Sequence, residues 1–315
     1  VSTVRFERPE PSAAEARGAL YTVRDVLRWS VTRMQAAGIA FGHGTTDAWD
    51  EAAWLVLWSL RLPLDRLEPV LDARLAPGEL AAAIALVERR CTERLPAAYL
   101  SGEVWLRGVR FLSDPRALVP RSPIAEILDT DALAPWLEAG DGVGVGVGVG
   151  RIMDLCTGGG SLAILAARRF EGATVLGTDL STDALALAAE NVALHAMHDR
   201  VALRQGDLWA GASGERFDLI VCNPPYVNAG SMAALPAEYL AEPQGALGGG
   251  ADGMDLVRRI VGGARGHLAP RGLLVLEIGH EAPHFEAAFP GLEYTWLPTE
   301  GGDDRIVLME RDALP

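Results

Sequence analysis

Four consecutive residues, Asn223, Pro224, Pro225 and Tyr226, carry the clearest chemistry in this sequence, directly after the apolar run Phe217, Asp218, Leu219, Ile220, Val221 and Cys222. A short apolar run that ends in a polar turn reads as a buried parallel strand delivering side chains at its carboxyl end. Asn223 and Pro224 each precede a proline, so both are steered away from helical backbone, and the two prolines bring no N–H to satisfy. The resulting stiff turn offers the Asn223 side-chain amide and the Pro224 carbonyl as fixed acceptors for a planar NH2 group, with Tyr226 as an aromatic wall. An amide nitrogen is a poor nucleophile because its lone pair is spread into the carbonyl. Two acceptors on its hydrogens favour a less conjugated nitrogen and aim the lone pair at an electrophile. If the electrophile is a sulfonium methyl, the donor carries its own activation and no metal is needed. Asn223, Pro224, Pro225 and Tyr226 are therefore the candidate catalytic residues.

A second constellation lies upstream. Asp154, Leu155, Cys156, Thr157, Gly158, Gly159 and Gly160 sit where one apolar segment gives way to a helical one. Glycines there let backbone approach a ligand, and a helix amino end offers unsatisfied N–H groups. Asp179 ends the next strand, where a carboxylate can take both hydroxyls of a ribose. Asp207, beyond a third strand, can accept from an adenine amino group, with Leu180 and Leu208 as apolar walls. A nucleoside cofactor is the simplest reading, with Asp154, Cys156, Thr157, Gly158, Gly160, Asp179, Leu180, Asp207, Leu208 and the adjoining Asn223 as its candidate contacts. A dinucleotide oxidoreductase shares the glycines and the ribose carboxylate. Its Gly-x-Gly-x-x-Gly fingerprint is missing here, and hydride transfer gives the Asn-Pro-Pro-Tyr turn no role.

The elements that must position these residues follow from periodicity. Residues 22–94 read as helices, with Val26, Leu27, Val31, Met34, Leu80, Ile84 and Val87 at helical spacing and Trp49, Trp54 and Trp58 as a packed aromatic core. Residues 104–112 predict a short hairpin turning near Gly108, and the prolines of 118–123 predict an extended, exposed linker. The alternating glycine and valine of 142–150 predict a further low-complexity linker. Strands at 152–156, 174–179, 201–204, 217–222 and 273–278 alternate with helices at 161–169, 182–195 and 254–268, with helix remnants at 285–289 and a closing hairpin of 294–297 and 306–309. That alternation predicts an α/β fold with a doubly wound, mostly parallel sheet. The expected domains are a helical unit over 1–98, a hairpin and linker over 99–150 and a cofactor-binding domain over 151–315.

Composition narrows the chemistry. Every one of the 28 basic residues is arginine, so Schiff-base chemistry, pyridoxal-phosphate attachment and a Walker-type loop, each of which needs lysine, are excluded. A net charge of −14 argues against direct nucleic-acid binding and is compatible with a basic partner. No apolar stretch approaches the ~20 residues of a membrane span, and 1–11 carries charge rather than an apolar signal core, so a cytoplasmic location away from membranes is expected. Cys91, Cys156 and Cys222 lie far apart and show no metal-type or redox-type spacing. His280, Glu281, Ala282, Pro283 and His284 spell a zinc-protease pattern, but Pro283 interrupts the helix that pattern requires, so no metal site is expected.

With both constellations placed, the sequence from about Tyr21 onward resembles the glutamine N(5)-methyltransferases, which methylate a side-chain amide in a protein. The resemblance implies a seven-stranded class I methyltransferase sheet, S-adenosylmethionine as cofactor and S-adenosylhomocysteine as product. It also implies that Asp179 holds the ribose, that Asn223 and the Pro224 carbonyl orient the glutamine amide, and that Tyr226 packs on the reacting groups. The stretch Glu238, Tyr239, Leu240, Ala241, Glu242 and Pro243 also resembles family sequence. One branch acts on peptide release factors and shows Pro-Arg-Pro-Glu-Thr-Glu in the linker, whereas the branch acting on ribosomal protein L-three shows Pro-Arg-Ser-Pro-Ile. Pro120, Arg121, Ser122, Pro123 and Ile124 resemble the second, as do Gly42, His43, Gly44 and Thr45 with Trp49, Asp50, Glu51 and Ala52. The resemblance thus implies a basic protein substrate, unassembled ribosomal protein L-three, with Arg121 joining Asn223, Pro224 and Tyr226 in holding it. The alternatives are a release factor, an adenine N-methyltransferase acting on nucleic acid, which would need base flipping and a basic groove, and a cofactor-binding scaffold without catalysis. Gly301, Gly302, Asp303, Asp304 and Arg305 depart from the family's Gly-Gly-Asp-Gly followed by an apolar residue, and the glycine-valine repeat is not a family feature.

Overall fold

Capping side chains set the first helices of the chain. A computed structural model describes residues 12–137 and 148–315; most of the glycine-valine repeat, expected to be a linker, lies outside them. Ser12 caps α1 (Ala13–Ala19), and Thr22 and Asp25 form a reciprocal capping box on α2 (Val23–Ala36). Asp47 takes the Trp49 and Asp50 N–H groups at the start of α3 (Ala48–Ser59), and Pro77 opens α4 (Pro77–Glu93), with α5 (Ala97–Ser101) following. These helices belong to one unit, which contains the described residues up to Gly102 together with Pro236–Ala241. Its core is built from Val26, Met34, Leu55, Val56, Leu57, Ile84 and Val87, all buried. The expected tryptophan core is only partly correct: Trp54 is buried, but Trp49 is 53% exposed. Five residues of helix turn Trp49 about 140° away from Trp54, so the two cannot share a face.

The second unit spans Glu103–Leu235 and Glu242–Pro315. It opens with the predicted hairpin, β1 (Glu103–Leu106) against β2 (Val109–Leu112), which turns through Arg107 and Gly108, both at positive φ. Two short helices follow, α6 (Ile124–Asp129) and α7 (Ala134–Leu137), and then the alternating region: β3 (Arg151–Leu155), α8 (Ser161–Arg169), β4 (Thr174–Asp179), α9 (Thr182–Leu194), β5 (Val201–Gln205), β6 (Phe217–Cys222) and α10 (Ala229–Ala233). α11 (Ala237–Leu240) lies in the first unit's segment; the second resumes with α12 (Asp255–His267), β7 (Leu268–Glu277), α13 (Ala282–Ala288), β8 (Thr295–Thr299) and β9 (Gly302–Glu310).

The strands form the expected doubly wound sheet of seven, in the order β5-β4-β3-β6-β7-β9-β8, with β9 antiparallel to both of its neighbours and the other pairs parallel. Strands β3, β6 and β7 are nearly continuous apolar runs because helices cover both faces. The chain reverses its direction across the sheet between β3 and β6, which makes their carboxyl ends the crevice where such sheets bind ligands. Register fixes what lies there. Leu155 pairs with Cys222 and Cys222 with Leu276, so Cys156, Asn223 and Glu277 come next on three adjacent strands.

Linker 118–123, expected to be exposed, has half its residues buried and the rest partly so. Val119 and Ser122 are 1% and 5% exposed. Prolines remove donors and so lower the cost of burying extended backbone. The Val119 N–H that remains donates to Glu242 at 2.9 Å.

Candidate active site

The glycine loop after β3 is folded by Asp154. This carboxylate is fully buried; its Oδ2 accepts from Thr157 Oγ1 at 2.5 Å and from the Ala163 N–H at 2.8 Å, which ties the loop to the first turns of α8. Its Oδ1 has no protein partner among the described residues, and burial raises the carboxyl pKa to about 7. Cys156, Gly158 and Gly160 all take positive φ, and a Cβ at Gly160 would stand 3.1 Å from that of Ala188. Glycine suits the last two positions, while Cys156 sits in the same region at some cost in strain. Cys156 and Cys222, distant in sequence, are free thiols at the ends of adjacent strands, and burial pushes the Cys222 thiol well up.

Asp179 at the end of β4 accepts from the Gly158 N–H through Oδ2 and from the Ser181 N–H through Oδ1, each at 2.9 Å. Both oxygens are thereby aimed while each keeps a lone pair for a further donor. Leu180 beside it is 67% exposed, whereas Leu208 is buried in the core at positive φ. Asp207 is not alone: Arg259 of α12 pairs with it at 2.7 Å.

On the neighbouring strand, Pro224 is buried and Asn223 half-buried, and among the described residues no group hydrogen-bonds the Asn223 side chain. Tyr226 is held at its hydroxyl, its ring and its backbone. Its hydroxyl donates to Glu277 Oε1 at 2.8 Å, and the other carboxylate oxygen, Oε2, accepts from the Ser122 hydroxyl. A Cβ at Gly279 would stand 2.4 Å from the Tyr226 ring, and one at Gly253 2.2 Å from its carbonyl oxygen, so those glycines are the seats of the ring and the backbone. Burial raises the pKa of Glu277 despite the two hydroxyl donors, and burial together with the Glu277 charge pushes Tyr226 well up.

Glycine loop, Asp179 and the Asn-Pro-Pro-Tyr turn are thus gathered at one edge of the sheet. Arg121, expected at the substrate, is instead committed to buried Glu242 at 2.5 and 2.7 Å and holds the linker. Sequence reasoning placed Ser122 in the linker motif without a role of its own, and missed Glu277, Gly279, Gly253 and Arg259. The one available signal was a lone carboxylate at the end of the apolar run 273–276. The zinc-like pattern is divided by structure: His280 precedes α13, and His284 within it pairs with Glu281 at 2.5 Å.

Residues 145–247 match the family model described as methyltransferase small domain. The chain is 55% identical over 298 residues to the ribosomal protein uL3 glutamine methyltransferase of Bordetella pertussis, covering 95% of this chain and 98% of that one. It is 54% identical to the protein of the same description from Burkholderia pseudomallei, covering 93% and 96%, and 46% identical to that from Neisseria gonorrhoeae, covering 95% and 98%. The chain belongs to the uL3 glutamine methyltransferase family. As a member of that family it is a methyltransferase, with S-adenosylmethionine as its methyl donor.

The residues present fit the donor. Loop backbone at Gly158 and Gly160 leaves no side chain in the way, Asp179 keeps lone pairs for two ribose hydroxyls, and Leu180 offers an exposed apolar surface beside it. Asp179→Ala is therefore expected to weaken S-adenosylmethionine binding by about 3–6 kcal/mol, the worth of two hydrogen bonds to a charged group. Calorimetric titration of the full chain reads this directly, and an unchanged affinity would refute the ribose assignment.

Proposed function

We propose that the chain methylates the side-chain amide nitrogen of a glutamine in ribosomal protein uL3. The observation that carries this reading is the Asn223 amide, which no described residue engages, at the end of β6 beside the glycine loop of the adjacent strand β3. Bound S-adenosylmethionine supplies the methyl group already activated as a sulfonium. Asn223 Oδ1 and the Pro224 carbonyl accept the two N–H bonds of the glutamine amide, holding its nitrogen with the lone pair facing the donor. Tyr226 walls the site and keeps water from the nitrogen. Transfer is in line and direct, since the turn presents acceptors and no nucleophile: the nitrogen bonds the methyl carbon as the carbon–sulfur bond breaks to leave a neutral thioether, and one N–H proton held by the turn is then released to solvent.

The choice of uL3 is supported by the relatives' descriptions and by Pro120, Arg121, Ser122, Pro123 and Ile124. A basic, unassembled ribosomal protein also suits a chain of net charge −14, and it would place the reaction in the cytoplasm. No helix among the described residues is long and apolar enough to cross a membrane.

The test is transfer of labelled methyl to purified uL3 and, separately, to a peptide release factor, with the labelled residue mapped by mass spectrometry. Label on a uL3 glutamine alone is expected. Label on the release factor alone would keep the amide chemistry and overturn the partner.

A further inference from the structure

We propose that Glu277 is a positioning residue for methyl transfer, acting through Tyr226, and that Ser122 of the linker completes its hold. The inference rests on the amide-methylation reading above. Glu277 ends β7, one strand over from the turn, and is 4% exposed. Among the described residues no basic side chain forms an ion pair with it, so its carboxylate is held by hydroxyls alone.

The direction of those bonds follows from their surroundings. Ser122 Oγ accepts the Ile124 N–H at 3.2 Å, at the start of α6, which leaves the hydroxyl proton for Glu277. Tyr226 brings its own proton to the other oxygen. Glu277 can therefore accept on both sides as a carboxylate, with the more distant Arg121 and Arg305 charges favouring that form. A buried carboxylate without a cation is a costly way to fill space, and an apolar residue would pack there more cheaply. What the carboxylate adds is a fixed direction for the Tyr226 hydroxyl. β6 anchors the near end of the Asn-Pro-Pro-Tyr turn, and Glu277, with Gly279 under the ring, anchors the far end. Asn223 and the Pro224 carbonyl lie between these two anchors, so loosening Tyr226 loosens the acceptors that aim the amide. Ser122, part of the linker motif that distinguishes the two branches by sequence, thus contributes to catalysis as well as to any choice of partner.

The full-length enzyme tests this with Glu277→Gln, Ser122→Ala, Ser122→Thr, Tyr226→Phe and the double variant Tyr226→Phe/Glu277→Gln. Glu277→Gln is expected to lower kcat on uL3 by about tenfold to a hundredfold while leaving KM for S-adenosylmethionine unchanged. Ser122→Ala is expected to lower kcat by about tenfold, and Ser122→Thr, which keeps the hydroxyl, to restore it. Because Glu277 acts through Tyr226, the double variant should be no slower than Tyr226→Phe alone. Losses that add in the double variant, or a wild-type kcat in Glu277→Gln, would overturn the proposal.

A second readout needs no protein substrate. In protein labelled at the tyrosine Cζ carbon, the nuclear magnetic resonance signal missing from Tyr226→Phe identifies Tyr226. Its titration should move to lower pH in Glu277→Gln, since the neighbouring negative charge is gone. A titration that does not move would overturn the Glu277–Tyr226 link even if uL3 proved not to be the target. Failure of the wild-type enzyme to label uL3 would overturn the target alone.

Discussion

Replacing Asn223 with alanine lowers kcat for amide methylation by about two to three orders of magnitude, the range for loss of one preorganised hydrogen-bonding group at a reacting centre. The expectation rests on where the side chain stands. Asn223 follows β6 at the carboxyl edge, is half-buried, and makes no hydrogen bond to any described residue. Truncating it therefore breaks no hydrogen bond among the described residues, and the loss falls on whatever the amide would have held. The prolines on its carboxyl side keep the backbone of the turn in place without it. Donor affinity should change by less than about fivefold, because a full neutral hydrogen bond contributes only about 1 kcal/mol and the glycine loop and Asp179 remain intact. Single-turnover methylation of uL3 beside a calorimetric titration of S-adenosylmethionine separates the two effects. Equal losses in both would mean that Asn223 serves the donor rather than the glutamine.

Asn223 was legible in the sequence because its signal is local: an apolar run, two prolines and an aromatic residue within ten positions. The same holds for the glycine loop and for Asp179, and most strands and helices fall within a few residues of their predicted limits. What could not be read is whatever depends on contact between distant segments. Glu277 lies 51 residues beyond Tyr226 and 155 beyond Ser122, and nothing near any of the three announces the others. The linker was misjudged because proline-rich sequence suggests exposure, whereas here Glu242 supplies the partner for its backbone and for Arg121. Arg259 likewise escaped notice, since a helix arginine is solvated unless a carboxylate such as Asp207 happens to stand opposite. Local pattern therefore located the candidate reacting groups, while the groups that hold them required coordinates.

The buried charge centre of the helical unit belongs to the same class, and it carries the largest expected effect on stability. Glu238 arrives from the Pro236–Ala241 segment, and its side chain, like those of Arg90 and Glu51, is fully buried. Arg90 reaches Glu51 at 2.6 Å, Glu238 at 3.3 Å and the Ala40 carbonyl at 3.0 Å, while Arg94 approaches Glu238 at 2.8 Å. Glu238 also accepts the Ala40 N–H at 3.1 Å, so one carboxylate serves two guanidinium groups and a backbone donor. Glu238→Ala removes the acceptor but leaves the cations and the N–H in place, and breaking a buried pair in this way costs about 3–5 kcal/mol. Glu238→Gln keeps an oxygen for Ala40 and loses only the charge, so its cost should be smaller. Because the two units need not unfold together, the comparison calls for denaturant unfolding followed by hydrogen exchange at α2 and α4 rather than a single global midpoint. Loss of protection confined to the helical unit, with S-adenosylmethionine affinity retained, is the expected outcome. Full protection at α4 in Glu238→Ala would mean that Glu51 alone is enough for Arg90, and that the segment from Pro236 contributes no stability through its charge.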